Sequence, residues 1–273
     1  MKNHYSYEVA VANACKHHFV HQYTTYAALE KIISNKSLLL NRMDRVNDTI
    51  ENRYIAGLWK NKVYVSCFTH RDHESYFFWN TYAKSSSVGV MVSFLTADLR
   101  ELSIHPDAEC EKAPLEKCNK SDLSIGFSPV VDASTWGVFD YSVLDVMYCP
   151  RDIDPRTLDH FQGRIKYPEW DMESETRIRV AIRPKCLEVR NKAAEIEYLT
   201  PENEYVFAKL PETCFESMVI TLSPYADKTL RSKVEKLLLD NGLQDKVQIR
   251  DSVLTGEAVI SSTCHSNSES VSP

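Results

Sequence analysis

The run Val88-Gly-Val-Met-Val-Ser-Phe94 constrains this chain most, because it is almost continuously apolar. Such a run predicts a strand at a central position in a sheet. Further strands are predicted at His17–Thr24, Leu38–Leu40, Lys62–Phe68, Tyr141–Tyr148, Ile178–Ile182, Cys186–Val189 and Tyr205–Ala208. Helices are expected at Tyr26–Ser34, where Ala28, Leu29, Ile32 and Ile33 recur at helical spacing, and near 49–59 and 74–83, with a helix or turn at 154–162. A closing β-α-β element is read as strand Ser217–Leu222, helix Ala226–Asn241 stopped by Gly242, and strand Lys246–Arg250. The expected fold class is α+β, a single domain with a split, mixed and antiparallel β-sheet core flanked by helices. Its boundaries are an N-terminal arm over 1–18, the domain over 19–254 with an insertion around 96–137, and a disordered tail over 255–273 that ends Ser-rich.

A chain of 273 residues with 43% hydrophobic content can bury a substantial core. The net charge of -6 argues against broad nucleic-acid binding, which needs a basic footprint. Seven glycines form no Gly-rich phosphate loop of either standard type. No apolar run reaches the roughly 20 residues that cross a bilayer, and the first residues lack a signal-peptide core. These features predict a soluble cytoplasmic protein with no membrane partner. The eight cysteines show no Cys-x-x-Cys pair, so reduced thiols are expected. His17 and His18, and His70 and His73, have no Cys or carboxylate partner at a recognised spacing. No metal is expected from them.

Chemistry concentrates in Lys166-Tyr-Pro-Glu-Trp170-Asp-Met-Glu173-Ser-Glu175-Thr-Arg177. In extended backbone Glu173 and Glu175 leave from one face while Ser174 points away. Paired carboxylates in a cleft need a cation, from Lys166, Arg177 or a substrate. A solvated edge of ordinary glutamates is the bland alternative, and Arg177, at the same strand parity, also fits as the partner of one of them. The aromatic segment around Trp79 and Tyr82, three apart on a helix, fits a core face as well as a ligand platform.

Several motifs occur in order: His21-x-Tyr23-Thr24 before a helix, Asn47-Asp48, Ser66-Cys67-Phe68, Trp79-x-x-Tyr82-Ala83, Gly89 opening a strand, and Lys166-x-x-x-Trp170-x-x-Glu173-x-Glu175-x-Arg177. Together, over about 19–254, they resemble a large, mainly bacterial family known only as a domain of unknown function, number twenty-nine seventy-one. The layout also resembles ADP-ribosyltransferases, whose late strand carries an essential glutamate, often within Glu-x-Glu.

The second resemblance implies an ADP-ribosyltransferase-like domain that uses NAD as substrate, cleaves its nicotinamide glycosidic bond, and modifies a macromolecule or consumes NAD. It implies Glu175 at the ribose 2′-hydroxyl and Glu173 orienting the acceptor. His21 would hold the ribose or nicotinamide amide with support from Tyr23 and Thr24, Trp79 or Tyr82 would stack on nicotinamide, and Lys166 or Arg177 would neutralise the pyrophosphate. The acceptor is unnamed, and a regulatory protein partner is compatible. For the Ser-x-Ser support motif of arginine-directed transferases this sequence offers only Ser66-Cys67-Phe68, a poor substitute. Two other readings are a non-catalytic nucleotide- or protein-binding sensor or effector in bacterial stress or phage defence, and a metal-dependent nucleic-acid hydrolase built on Glu173, Glu175 and Lys166.

Overall fold

The computed structural model describes residues 15–46, 61–84, 87–105, 136–149, 163–184 and 204–255. The helix expected near 49–59, the helix or turn at 154–162, the strand at 186–189, most of the insertion and the Ser-rich tail lie outside the described residues. In chain order the elements begin with β1 (Phe19–Thr25), α1 (Tyr26–Asn35), β2 (Ser37–Arg42), β3 (Val63–Thr69) and α2 (Tyr76–Thr81). Next come β4 (Gly89–Leu95), α3 (Thr96–Leu99), β5 (Ser103–His105), β6 (Trp136–Asp145), β7 (Met147–Tyr148) and β8 (Ile165–Lys166). A 3-10 helix, Pro168–Glu173, leads into β9 (Glu175–Pro184), followed by β10 (Tyr205–Lys209), α4 (Glu212–Ser217), β11 (Val219–Leu222), α5 (Leu230–Asp240) and β12 (Gln248–Asp251). The class is α+β, with mixed but largely antiparallel strands flanked by helices.

The chain divides into two compact units woven from alternating segments. The first takes residues 1–18, 35–70 and 96–211; the second takes 19–34, 71–95 and 212–273.

In the first unit the strands run β5-β10-β2-β3-β9-β6, and every neighbouring pair is antiparallel. β9 has a strand on each edge, β3 along one and β6 along the other. From Glu175 to Ile182 every β9 residue is buried, Arg177 and Arg179 included. Ile178, Val180 and Ile182 alternate with these charged positions, so one face of β9 packs apolar core while the other holds paired charge. The strand begins three residues before the expected Ile178, because ladder bonds to β3 continue through Glu175 and outweigh the polar sequence there.

In the second unit the order is β1-β4-β11-β12. β4 is central, as its apolar run requires, and Val90, Val92 and Phe94 on one face are as buried as Met91 and Ser93 on the other. α1 starts at Tyr26 as expected; its first N–H bonds the Val88 carbonyl at 2.8 Å, extending the β1–β4 ladder. Leu29, Ile32 and Ile33 form its buried face. The closing element is present, with β11 and β12 parallel. α5 starts four residues later than expected, because Asp227 accepts the Thr229 N–H at 2.8 Å and the Thr229 hydroxyl at 2.6 Å and holds a turn there. α4 takes the chain through Ser217, which sequence assigned to a strand.

α5 ends in a Schellman motif: the Leu243 N–H reaches the Leu238 carbonyl at 2.8 Å and the Gly242 N–H reaches Leu239 at 3.0 Å. Gly242 has φ +67, and no atom lies within 4 Å of where a Cβ would stand. Gly242→Ala therefore isolates the backbone cost, and an equilibrium urea melt should show a loss of about 1 kcal/mol.

Candidate functional site

The expected run of extended backbone through Glu173 and Glu175 is not what the chain adopts. Pro168 opens the 3-10 helix and suits its first turn, because proline lacks the N–H left unpaired there. Glu173 is the last residue of that helix, and Ser174 follows in the left-handed region at φ 43. The turn is pinned on both sides. The Thr69 hydroxyl donates to the Glu173 carbonyl at 2.7 Å, the His70 N–H to the Ser174 carbonyl at 3.0 Å, and the Val146 N–H to the Glu175 carbonyl at 2.9 Å. These contacts support a conformation that a residue with a Cβ rarely adopts.

The two carboxylates converge all the same, through a shared cation rather than strand parity. Lys166 Nζ lies 2.6 Å from Glu173 Oε2 and 2.8 Å from Glu175 Oε2, and 4.8 Å from the centre of the Trp170 ring. Arg177 grips Glu175 with a fork: Nε reaches Oε1 at 2.7 Å and Nη2 reaches Oε2 at 3.2 Å. Its Nη1 donates to the Gly163 carbonyl at 3.0 Å. The pairing alternative for Arg177 is thus what the structure contains, and all three of its nitrogens have protein acceptors. Gly163 adopts φ +75, and an added Cβ would press on Val63 at 3.3 Å, so the carbonyl that receives Arg177 depends on glycine here.

The four side chains are 1–8% exposed and carry two charges of each sign. Burial alone would raise the Glu175 pKa, but Arg177 and then Lys166 override it and hold the carboxyl at about 2. Burial lowers the Lys166 pKa, yet Glu175 and then Glu173 leave it raised. Both groups are fully ionised at neutral pH.

Two neighbours that the sequence did not single out complete the cluster. The Tyr148 hydroxyl accepts the Glu175 N–H at 2.9 Å, and burial first pushes its pKa up to about 12, so the phenol keeps its proton. Cys67 stands opposite Arg177 in the β3–β9 register, and its thiol bonds Glu175. Cys67 retains solvent exposure. Its thiol pKa is nonetheless pushed well up, first by desolvation and then by the Glu175 charge.

The remaining predicted residues belong to the second unit. His21 Nδ1 lies 2.7 Å from Ser93 Oγ. Burial, then the Arg250 charge, lowers its pKa to about 4, so the ring is neutral at pH 7. Because the folded value lies below the ordinary 6.5, His21 favours folding above 6.5 and loses that contribution as pH falls toward 4. Its imidazole proton resonances should titrate near pH 4 in an NMR series, and His21→Gln should flatten stability across that window. Thr24, half-buried, faces Val90 in the β1–β4 register.

Tyr23, Phe78, Trp79, Ala83 and Met91 form one core cluster with Tyr82 packed against it. Trp79 is 0% exposed, with the Tyr23 ring edge-on at 4.8 Å and its N–H bonded to Glu74 at 3.2 Å. The core reading of this aromatic helix face therefore describes Trp79, whose ring is enclosed by protein, while Tyr82 keeps partial exposure. The Tyr23 hydroxyl accepts the Ser75 N–H at 3.2 Å.

A second polar cluster lies in the first unit, and no local spacing announced it. His17 falls outside β1, contrary to the strand expected from residue 17, and its ring stacks on His70 with centroids 3.8 Å apart and planes 4° from parallel. Both rings face Asp145, which also accepts the Thr176 hydroxyl at 2.6 Å. The two histidine pairs visible in sequence are thus each split, and one member of each meets the other.

Among the described residues, no helix is long and apolar enough to cross a membrane. No family model, curated protein or solved structure matches the chain, so both resemblances stand on the motifs alone.

Proposed function

We propose that this chain is an NAD-dependent, ADP-ribosyltransferase-like protein that breaks the nicotinamide glycosidic bond and passes ADP-ribose to a macromolecule or to water. One observation carries the reading: Glu175, an ionised carboxylate fixed by Arg177 and Lys166, bonds the thiol of the solvent-exposed Cys67. When nicotinamide departs with the bonding electron pair, positive charge grows on the ribose. A carboxylate already oriented toward that charge stabilises the transition state more than the ground state. Glu173, sharing Lys166, orients the acceptor, which adds to the anomeric carbon and gives up a proton. The proposal rests on first-unit residues alone.

The near-complete burial of four mutually paired charges favours a second reading, a non-catalytic nucleotide binder. Both readings are tested by incubating the protein with NAD labelled in each half, while following nicotinamide release and Cys67 alkylation by a maleimide. The enzyme releases nicotinamide, and NAD or ADP-ribose slows Cys67 alkylation several-fold. Glu173→Gln, which leaves the Glu175–Arg177 fork in place, keeps the protection and loses transfer to the acceptor. A binder shows protection without release. Neither protection nor release in wild type overturns both.

A further inference from the structure

We propose that His17, His70 and Asp145 bind a first-row divalent transition metal through two imidazoles and one carboxylate, leaving the other coordination positions open. The three residues come from separate segments: just before β1, just after β3, and the end of β6. Their ligand atoms all lie within 4.8 Å of one another. His17 Nε2 is 3.4 Å from Asp145 Oδ2, and His70 Nδ1 is 3.7 Å from Asp145 Oδ1. These separations exceed the roughly 2.7–2.9 Å of a charge-assisted hydrogen bond. They approach the spacing of about 3.3 Å between neighbouring ligands on a tetrahedral ion with bonds near 2.0 Å.

The surroundings are those of a supported ligand set. The Thr176 hydroxyl, on a residue that is 0% exposed, donates to Asp145 Oδ1 at 2.6 Å and fixes the carboxylate, the role outer-shell hydrogen bonds play at metal centres. The same hydroxyl oxygen lies 3.0 Å from His70 Nδ1, a contact that gives way when Nδ1 turns its lone pair to an ion, and 3.8 Å from the Cys15 sulfur. Side-chain exposures of 40%, 21% and 25% for His17, His70 and Asp145 give an ion and its water ligands a way in. An ion bound between parallel rings would lie outside both ring planes, so loading requires the stack to open. His17, the most exposed of the three, is the ring with room to tilt.

Donor chemistry sets the class of ion. Two nitrogens with one carboxylate suit zinc, iron(II), cobalt(II) or nickel, whereas magnesium and calcium prefer oxygen ligands throughout. Nothing in the NAD reading uses this site, so the two stand or fall separately.

The test is a titration of untagged, chelator-stripped protein with cobalt(II), followed by its visible d–d absorption, with zinc competition and calorimetry for stoichiometry. One ion per chain is expected, displaced by zinc. His17→Ala and Asp145→Asn should each weaken binding at least tenfold, and Thr176→Val about tenfold. The exposed-histidine control His73→Ala should bind as wild type does. His17 is partly exposed, so its variant should keep the wild-type circular dichroism spectrum, and weakened binding in it cannot be ascribed to unfolding. No saturable cobalt binding, or binding unchanged by both His17→Ala and Asp145→Asn, overturns the proposal.

Discussion

Lys166→Met should destabilise the protein by about 3–5 kcal/mol, because it takes the neighbouring cation from a buried carboxylate rather than merely deleting a surface contact. Glu175 retains the Arg177 fork after the substitution, while the Glu173 oxygen now 2.6 Å from the ammonium loses its cation. The penalty therefore falls mainly on Glu173, and Lys166→Met with Glu173→Gln should recover much of it. Urea unfolding of wild type, both single variants and the double variant forms a cycle that separates the pair from its parts. A Lys166→Met loss under about 1 kcal/mol would mean that the attraction barely exceeds the desolvation cost of burying these charges.

Acid should act on the same cluster through Glu175. Its folded pKa of about 2 lies below the ordinary 4.5, so its contribution to stability is fully present above pH 4.5 and disappears as pH falls through 2. The shift corresponds to roughly 3 kcal/mol at neutral pH. Other carboxylates titrate in this range too, so the measurement is a difference. The pH dependence of unfolding free energy in wild type should be steeper between pH 4.5 and 2 than in Glu175→Gln, which cannot titrate. Glu175→Gln itself leaves Arg177 buried with a neutral partner and should cost several kcal/mol at pH 7. Equal slopes in the two proteins would show that Arg177 and Lys166 do not hold the charge as their geometry implies.

Much of the architecture was legible wherever periodicity was strong. The apolar run of β4 required neighbours on both edges, and it has β1 and β11. Gly242 marked the end of α5, and Leu29, Ile32 and Ile33 marked the buried face of α1. Boundaries failed where side chains bond to nearby backbone, as Asp227 does, because such turns compete locally with helix and leave no periodic trace. The charged motif contains the four residues that cluster, but strand parity is not what groups them. A left-handed Ser174 and the reach of Lys166 bring the carboxylates together, and neither follows from strand parity. His17, His70 and Asp145 were illegible for a different reason: the β3–β9 and β6–β9 registers bring the segments of His70 and Asp145 together around Thr176, and the Cys15 N–H bond to the Val143 carbonyl at 3.2 Å brings in that of His17.

The alternation of segments between the units bears on how the chain is made. β4 pairs with β1 soon after both emerge from the ribosome, yet β11, its partner on the other edge, follows only after roughly 120 further residues, many seconds at ordinary rates of synthesis. Throughout that interval the nascent chain displays an unpaired edge along one of its most apolar strands, an open template for another chain. Chaperone dependence during translation, and aggregation of any truncation lacking residues 219–251, are the expected signatures of this ordering.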